Sequence, residues 1–346
     1  MVNHESRMLI DGKLVDSETG RQFDNVNPAT EEVMGGTADG TRADMERAVA
    51  AARHAFDHTD WSRNGAARAA GLRQLQAALE AEKEDLRREL IAEVGCPLLS
   101  TFGPQLDVPL KEALSWPADM IDQFPWKRSL PDKDAFGMGT MAAREVWKEP
   151  IGVVGVIAPW NFPFEIILNK IGPILAMGNT CVLKPAPDTP WNATRIGRII
   201  AEQTDIPPGV INIVTSSDHL VGEVLSTSPL VDMVAFTGST ATGRKVAVAC
   251  AERLIPCTLE LGGKDPAIVL ADADLDRAAL GEHLGDDLAA AVERVVDRVP
   301  ETEDREAETG EVRVHALEFV GEGLGTGRQL AFAVGRAHDD EEVLGV

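Results

Sequence analysis

The spacing of apolar residues changes several times along the chain. Near the start, MLIDGKLVDSETG alternates apolar and polar residues about Asp11-Gly12, which predicts a β-hairpin. Between 41 and 94 the apolar positions recur every three or four residues, first at Met45, Val49, Ala52 and Phe56, then at Leu72, Leu75, Leu79, Leu86 and Leu90. That spacing predicts amphipathic helices, so an all-helical stretch is expected after the hairpin. Prolines and aromatics in SWPADMIDQFPWKRSLPD interrupt the pattern, predicting a helix end and a linker.

From Ile151 the text becomes regular. IGVVGVIAP, TCVLKPA, GVINIVT, VDMVAFTGS, CTLELGG and DPAIVLA are apolar, β-branched runs that predict buried strands. Helical segments separate most of them: PFEIILNKIGPILAMG, TPWNATRIGRIIAEQT, HLVGEVLSTS and ATGRKVAVACAERL. Apolar strands alternating with helices predict α/β architecture, a doubly wound parallel sheet over 151–270 covered on both faces. Ligands of such sheets bind beyond the carboxyl ends of the strands. Those ends read PWNFP, KPAPDTP, VTSSD, FTGSTATG and ELGGK, so the chemically distinctive residues are expected as neighbours along one edge.

At 346 residues and 44% hydrophobic content, the chain is long enough for two domains or one large one. No apolar run reaches the roughly 18 residues a membrane helix needs, and MVNHESRMLI lacks the layout of a signal peptide, so no membrane partner and a cytoplasmic location are expected. The four cysteines, Cys96, Cys181, Cys250 and Cys257, form no CxxC pair, which argues against both a disulfide framework and a zinc site. A net charge of −23 disfavours nucleic acid. The charge is uneven: residues 281–346 hold 17 acidic residues, 6 arginines and no lysine.

Several short motifs carry chemistry. In FTGSTATGRK a strand leads through Gly238 and Ser239 into a helix, the arrangement in which backbone N–H groups and the helix dipole hold a phosphate. It is neither G-x-G-x-x-G nor a P-loop, since Arg244 occupies the P-loop lysine position; a glycine turn with an N-capping serine is the plain alternative. Lys184, following a strand, is placed to reach ribose or phosphate, against the ordinary alternative of a solvated lysine. Asn161, between Trp160 and Phe162, is placed to donate to a developing oxyanion, against a helix-capping role. Glu260 ends an apolar strand and is followed by Gly262 and Gly263. Asp272, Asp274 and Asp276 imitate a calcium loop, but Arg277 replaces its glycine and His283 its final glutamate, so no metal site is expected.

Taken in order, APWNFPF, GNTCVLKPA, PPGVINIVT, VAFTGSTATGR and LELGGKDPAIVLADADLD resemble the NAD(P)-dependent aldehyde dehydrogenase superfamily. The resemblance runs from about Met8 to about Leu280 and includes NPATEEVMG and Trp61. It implies a Rossmann-like domain over 1–280, NAD or NADP as cofactor, and oxidation of a small-molecule aldehyde to a carboxylic acid through a cysteine thioester. It implies an oxyanion-hole role for Asn161 and a general-base role for Glu260. It further implies cofactor-binding roles for Trp160, Lys184, Gly222, Gly238, Ser239 and Gly262, with Lys184 on the adenosine ribose, Gly222, Gly238 and Ser239 along the pyrophosphate, and Gly262 clearing the nicotinamide ring. The family often has a glutamate three positions after the lysine; here it is Pro187, which leaves NAD and NADP both open.

The resemblance stops near residue 280. The family's nucleophilic cysteine belongs roughly three dozen residues after Glu260, where this chain reads AAVERVVDRVP, and no cysteine follows Cys257. Residues 281–346 stand where the family has its catalytic domain and the interface strand of its homo-oligomer. They read as a divergent, acidic, irregular and poorly ordered tail with a helix near 286–299. A frameshift, truncation or gene fusion is the expected origin, and a non-catalytic nucleotide-binding remnant is the alternative function. Among the other cysteines, Cys257 is expected to face away from Glu260, and Cys181 and Cys250 to be packed.

Overall fold

The computed structural model describes residues 4–134, 137, 139, 141–263, 313–318 and 329–334. The expected strand over 265–271, the expected helix near 286–299 and the Asp272–Asp276 segment lie outside the described residues. The chain divides into two compact units, Met1–Leu261 and Gly262–Val346.

In the first unit, the N-terminal hairpin forms as expected: β1 (Met8–Ile10) and β2 (Lys13–Val15) pair antiparallel. Asp11 and Gly12 turn the chain with φ of 52° and 70°, the left-handed pair that matches strand twist in a two-residue hairpin. The next elements were not read from the sequence. Strands β3 (Gln22–Val26) and β4 (Val33–Ala38) form a second hairpin with a bulge at Asn25/Val26, so a β-hairpin intervenes before the helices. Helices α1 (Arg42–His58), α2 (Gly65–Ala81) and α3 (Lys83–Val94) then follow the predicted periodicity. Thr41 and Asp44 cap α1 reciprocally.

Short helices α4 (Leu98–Thr101), α5 (Asp107–Glu112) and α6 (Ser115–Met120) lead to an antiparallel ribbon, β5 (Lys127–Asp134) with β6 (Met141–Trp147). This ribbon corrects the linker expectation. It is mostly exposed, and without a buried face it leaves no hydrophobic alternation for the sequence to reveal.

The remaining order is β7 (Val153–Ile157), α7 (Pro163–Ala176), β8 (Thr180–Lys184), α8 (Trp191–Gln203), β9 (Ile211–Ile213), a 3-10 turn (His219–Gly222), α9 (Glu223–Thr227), β10 (Met233–Gly238), α10 (Thr240–Glu252) and β11 (Cys257–Leu261). These strands build a seven-stranded sheet in the order β11-β10-β7-β8-β9-β1-β2. From β11 to β9 the pairing is parallel, and the N-terminal hairpin joins antiparallel through Leu9 opposite Ile213. Successive strand residues alternate between two cores. Val154, Val156, Cys181 and Leu183 pack with Ile167 and Ile171 of α7, Ile196 of α8 and Leu75 of α2. Val153, Val182, Val234 and Phe236 pack with Val49 of α1, Leu225 of α9 and Val246 of α10. The sheet is therefore doubly wound, and strands buried on both faces account for the unbroken apolar runs.

In the second unit, β12 (Arg313–Glu318) and β13 (Gln329–Val334) pair antiparallel. Over those residues a hairpin replaces the irregular tail expected from composition, because the apolar residues of VRVHALEFV and RQLAFAVG give a strand pattern that the surrounding acidic text obscures. Among the described residues no helix is long and apolar enough to cross a membrane.

One buried carboxylate fastens α3 to α8. Glu93 accepts from Asn25 Nδ2 (2.8 Å), Trp191 N (2.5 Å), Asn192 N (3.3 Å) and Asn192 Nδ2 (2.9 Å). It thereby occupies the N-terminus of α8, where backbone N–H groups have no partner within the helix. Burial, aided by the nearby Glu89, pushes the carboxyl up to about 8 against those donors. A group raised in the folded state contributes stability that is complete below its ordinary value near 4.5 and is lost as pH rises through about 8. Thermal unfolding of Glu93→Gln should show a flatter pH dependence than the native chain over that window; an unchanged slope would rule Glu93 out as its source.

Candidate active site at the carboxyl edge of the sheet

The site begins with strand register. Ile157 pairs Lys184, Phe236 pairs Ile157, and Thr237 pairs Glu260. Lys184 and Glu260 thus sit at nearly one level, three strand intervals or roughly 15 Å apart. Between them lies the switch point, where the chain leaves β7 for β8 on one side and later returns as β10 on the other. In open α/β sheets this crevice is where ligands bind.

The two ends of this line lie on opposite faces. Alternation puts Lys184 on the α9 face with Val182, whereas Glu260 lies on the α7 face, opposite to Cys257 and Leu259. The edge residues are therefore not all neighbours, as expected from the sequence, but two groups joined over the strand ends.

On the α9 face Lys184 is only 4% exposed, and its Nζ donates to Ser216 O at 3.3 Å. The solvated alternative is thereby excluded. Burial lowers its ammonium to about 8, opposed by the charges of Asp218, Asp188 and Asp39. Gly222 packs against its stem: a Cβ there would lie 3.1 Å from Lys184 Cδ. The glycine thus leaves room for the lysine stem.

At the end of β10, Ser239 is the N-cap of α10 and its hydroxyl accepts from Thr242 N at 3.2 Å. Its side chain serves as the plain capping alternative held, so any anion there meets the first-turn backbone. Gly238 has Phe236 beneath it, 2.8 Å from a built Cβ. Thr237 Oγ1, next to them, is buried with no partner among the described residues.

At the end of β7, Asn161 is exposed and its carbonyl accepts from Gln105 Nε2 at 2.8 Å. Phe162, not Asn161, is the N-cap of α7. The capping alternative therefore fails, and the Asn161 carboxamide forms no hydrogen bond among the described residues. Trp160 is 56% exposed and lines a cleft of about 590 Å³ with Asp24, Pro187, Asp188 and Ser217.

On the α7 face Glu260 is exposed and faces Lys170 of α7 electrostatically. Burial lowers Lys170, and the Glu260 charge opposes that. Glu165, one turn earlier, is raised by burial. Neither α7 residue was singled out from the sequence, although two charges within PFEIILNKIG, a largely apolar helix, were the available signal. A Cβ on Gly262 meets nothing within 4 Å among the described residues, which gives no steric reason for a glycine there.

This chain matches known proteins in sequence and fold. The model of the aldehyde dehydrogenase family matches residues 14–282. The chain belongs to the aldehyde dehydrogenase family. Aminoacetaldehyde dehydrogenase of Pseudomonas aeruginosa is 41% identical over 276 residues, covering 79% of this chain and 54% of the relative. Among solved structures, betaine aldehyde dehydrogenase of Staphylococcus aureus in complex with NAD+ is similar with a TM-score of 0.72 and 31% identity, covering 80% of this chain and 54% of that one. An NADP-dependent enzyme of E. coli is similar with a TM-score of 0.73 and 35% identity, covering 80% and 56%. The chain thus spans about half the length of the aldehyde dehydrogenases it matches.

The four thiols differ in burial. Burial pushes Cys181 up to about 12 and, with Cys257 beside it, Cys250 up to about 11; Cys96 is raised by burial as well. Cys257 is half-buried and faces away from Glu260. None of the four is an exposed thiol on the Glu260 face. Iodoacetamide at neutral pH should alkylate Cys257 ahead of the other three, read by peptide mass; prior labelling of Cys181 would contradict this packing. Gly222→Ala should cost about 1–3 kcal/mol through overpacking against Lys184, whereas Gly262→Ala should be near neutral, both measured by denaturant unfolding.

Proposed function

We propose that this chain is the dinucleotide-binding half of an aldehyde dehydrogenase, holding NAD or NADP across the carboxyl edge of its sheet. In this reading Lys184 forms the adenosine side, and Gly222 and the Gly238-Ser239 turn with the first turn of α10 take the pyrophosphate. Trp160 borders the nicotinamide. The observation that carries it is the line of register from Lys184 through Thr237 to Glu260 over the switch point. The residues fit such a ligand: an ammonium with a single protein acceptor at 3.3 Å, an unpartnered hydroxyl at Thr237 and the N-terminus of a 13-residue helix.

When bound, the nicotinamide supplies the hydride acceptor for oxidation of an aldehyde to an acid. This chain contributes Asn161, whose uncommitted carboxamide donates to the carbonyl oxygen as it gains charge. Glu260 is placed to take a proton from the attacking group, with Lys170 facing it. The attacking thiol is what the sequence after Cys257 lacks, so turnover by this chain alone is proposed to be negligible.

Tryptophan-fluorescence titration should show saturable binding of NAD or NADP. Lys184→Gln should weaken it about tenfold, the scale of one charge-assisted hydrogen bond. Native affinity should fall as pH rises through about 8, where Lys184 loses its proton, and Lys184→Gln should abolish that dependence. Saturable binding of neither dinucleotide would overturn the proposal. Aldehyde-dependent NADH production abolished by Glu260→Gln would overturn the statement on turnover.

A further inference from the structure

The surroundings of Lys184 distinguish the two dinucleotides. Carboxylates from separate segments converge on this lysine. Asp39, after β4, accepts from Ser217 N at 2.9 Å and Ser217 Oγ at 3.0 Å, one residue from the Ser216 carbonyl that takes the Lys184 ammonium. Asp218 accepts from Leu220 N at 2.8 Å in the turn that ends at Gly222, against the lysine stem. Asp188 follows β8 and lines the adjoining cleft. That cleft also holds Asp24 and has no lysine or arginine among the described residues of its wall. Among the described residues Arg21 pairs with one of these groups, its Nη2 3.6 Å from Asp39 and its side chain 75% exposed. Three carboxylates against two cations leave the cluster net negative before any ligand arrives.

We infer that Asp39, Asp188 and Asp218 make this a site for a dinucleotide whose adenosine ribose carries a bare 2′-hydroxyl, and reject one bearing a 2′-phosphate. The inference rests on the reading that Lys184 marks the adenosine side. A ribose hydroxyl needs one donor, which the ammonium supplies without further charge. A phosphate monoester brings about −1.5 to −2 more charge and needs several cationic or N–H donors. Here the buried ammonium already lies in the field of three carboxylates, so specificity comes from a repulsive element rather than from an added contact. Family membership leaves this choice open, since the similar structures include one solved with NAD+ and one described as NADP-dependent.

The test is the ratio of Kd for NADP to Kd for NAD, measured on the whole chain by fluorescence titration. A ratio of about ten or more is expected. Asp188→Asn and Asp218→Asn should each narrow it about fivefold, chiefly by tightening NADP, and high salt should narrow it as well. Circular dichroism confirms that the variants fold, and exposed Asp188 serves should Asp218→Asn disturb its turn. Equal affinities, or tighter NADP, would overturn the inference while leaving dinucleotide binding intact. A ratio unmoved by both substitutions and by salt would make the exclusion steric and overturn it too. Binding of neither dinucleotide would overturn it together with the reading beneath it.

Discussion

Strand β7 is the element on which the rest of the first unit depends, because it pairs in parallel with both β8 and β10. Val153, Val154 and Val156 are at most 1% exposed, packing alternately into the two cores. Losing its register by one residue would exchange the faces of every side chain. It would also shift Ile157, through which Lys184 and Phe236 are aligned. The candidate site consists of loops, but its geometry is set by this buried pairing.

Charge is handled differently at the two depths of the molecule. Deep between α3 and α8, carboxylates are held by donors: Glu93 by four N–H groups, and Glu89 by Arg195, which also reaches Glu82 at 2.7 Å. Such groups are costly to bury and costly to orphan, so they fix one arrangement of the helices rather than add much net stability. At the sheet edge, Lys184 is nearly as buried yet has a single carbonyl and a surrounding field of carboxylates. An incompletely satisfied buried ammonium belongs to a binding site more than to a scaffold.

Much of this was legible in the text. The βα alternation from Ile151 gave every strand and helix to Leu261, and the helices of 42–94 followed from leucine spacing, because burial of one or both faces forces a hydrophobic period. The β3–β4 hairpin and the β5–β6 ribbon were illegible for the converse reason: much of their surface is exposed, so no period is imposed. Asn161 and Lys184 could be named as candidates but not separated from capping and solvation, since those alternatives differ only in where the side chain ends. The electrostatic influence of Glu260 on Lys170 was invisible, because it acts between residues 90 apart across a sheet and a helix.

By itself, then, the sequence determined the family, the parallel sheet and which residue types stand at the strand ends, and it showed that no cysteine follows Cys257. These are local or ordered features, read from period and motif. Only the tertiary structure decided that Lys184 is buried, that Gly222 makes room for its stem, and that Lys184 and Glu260 occupy opposite faces of one edge. It alone brought Asp39, Asp188 and Asp218 within electrostatic reach of one ammonium. Burial and field are sums over neighbours distant in sequence, and strand order creates those neighbours.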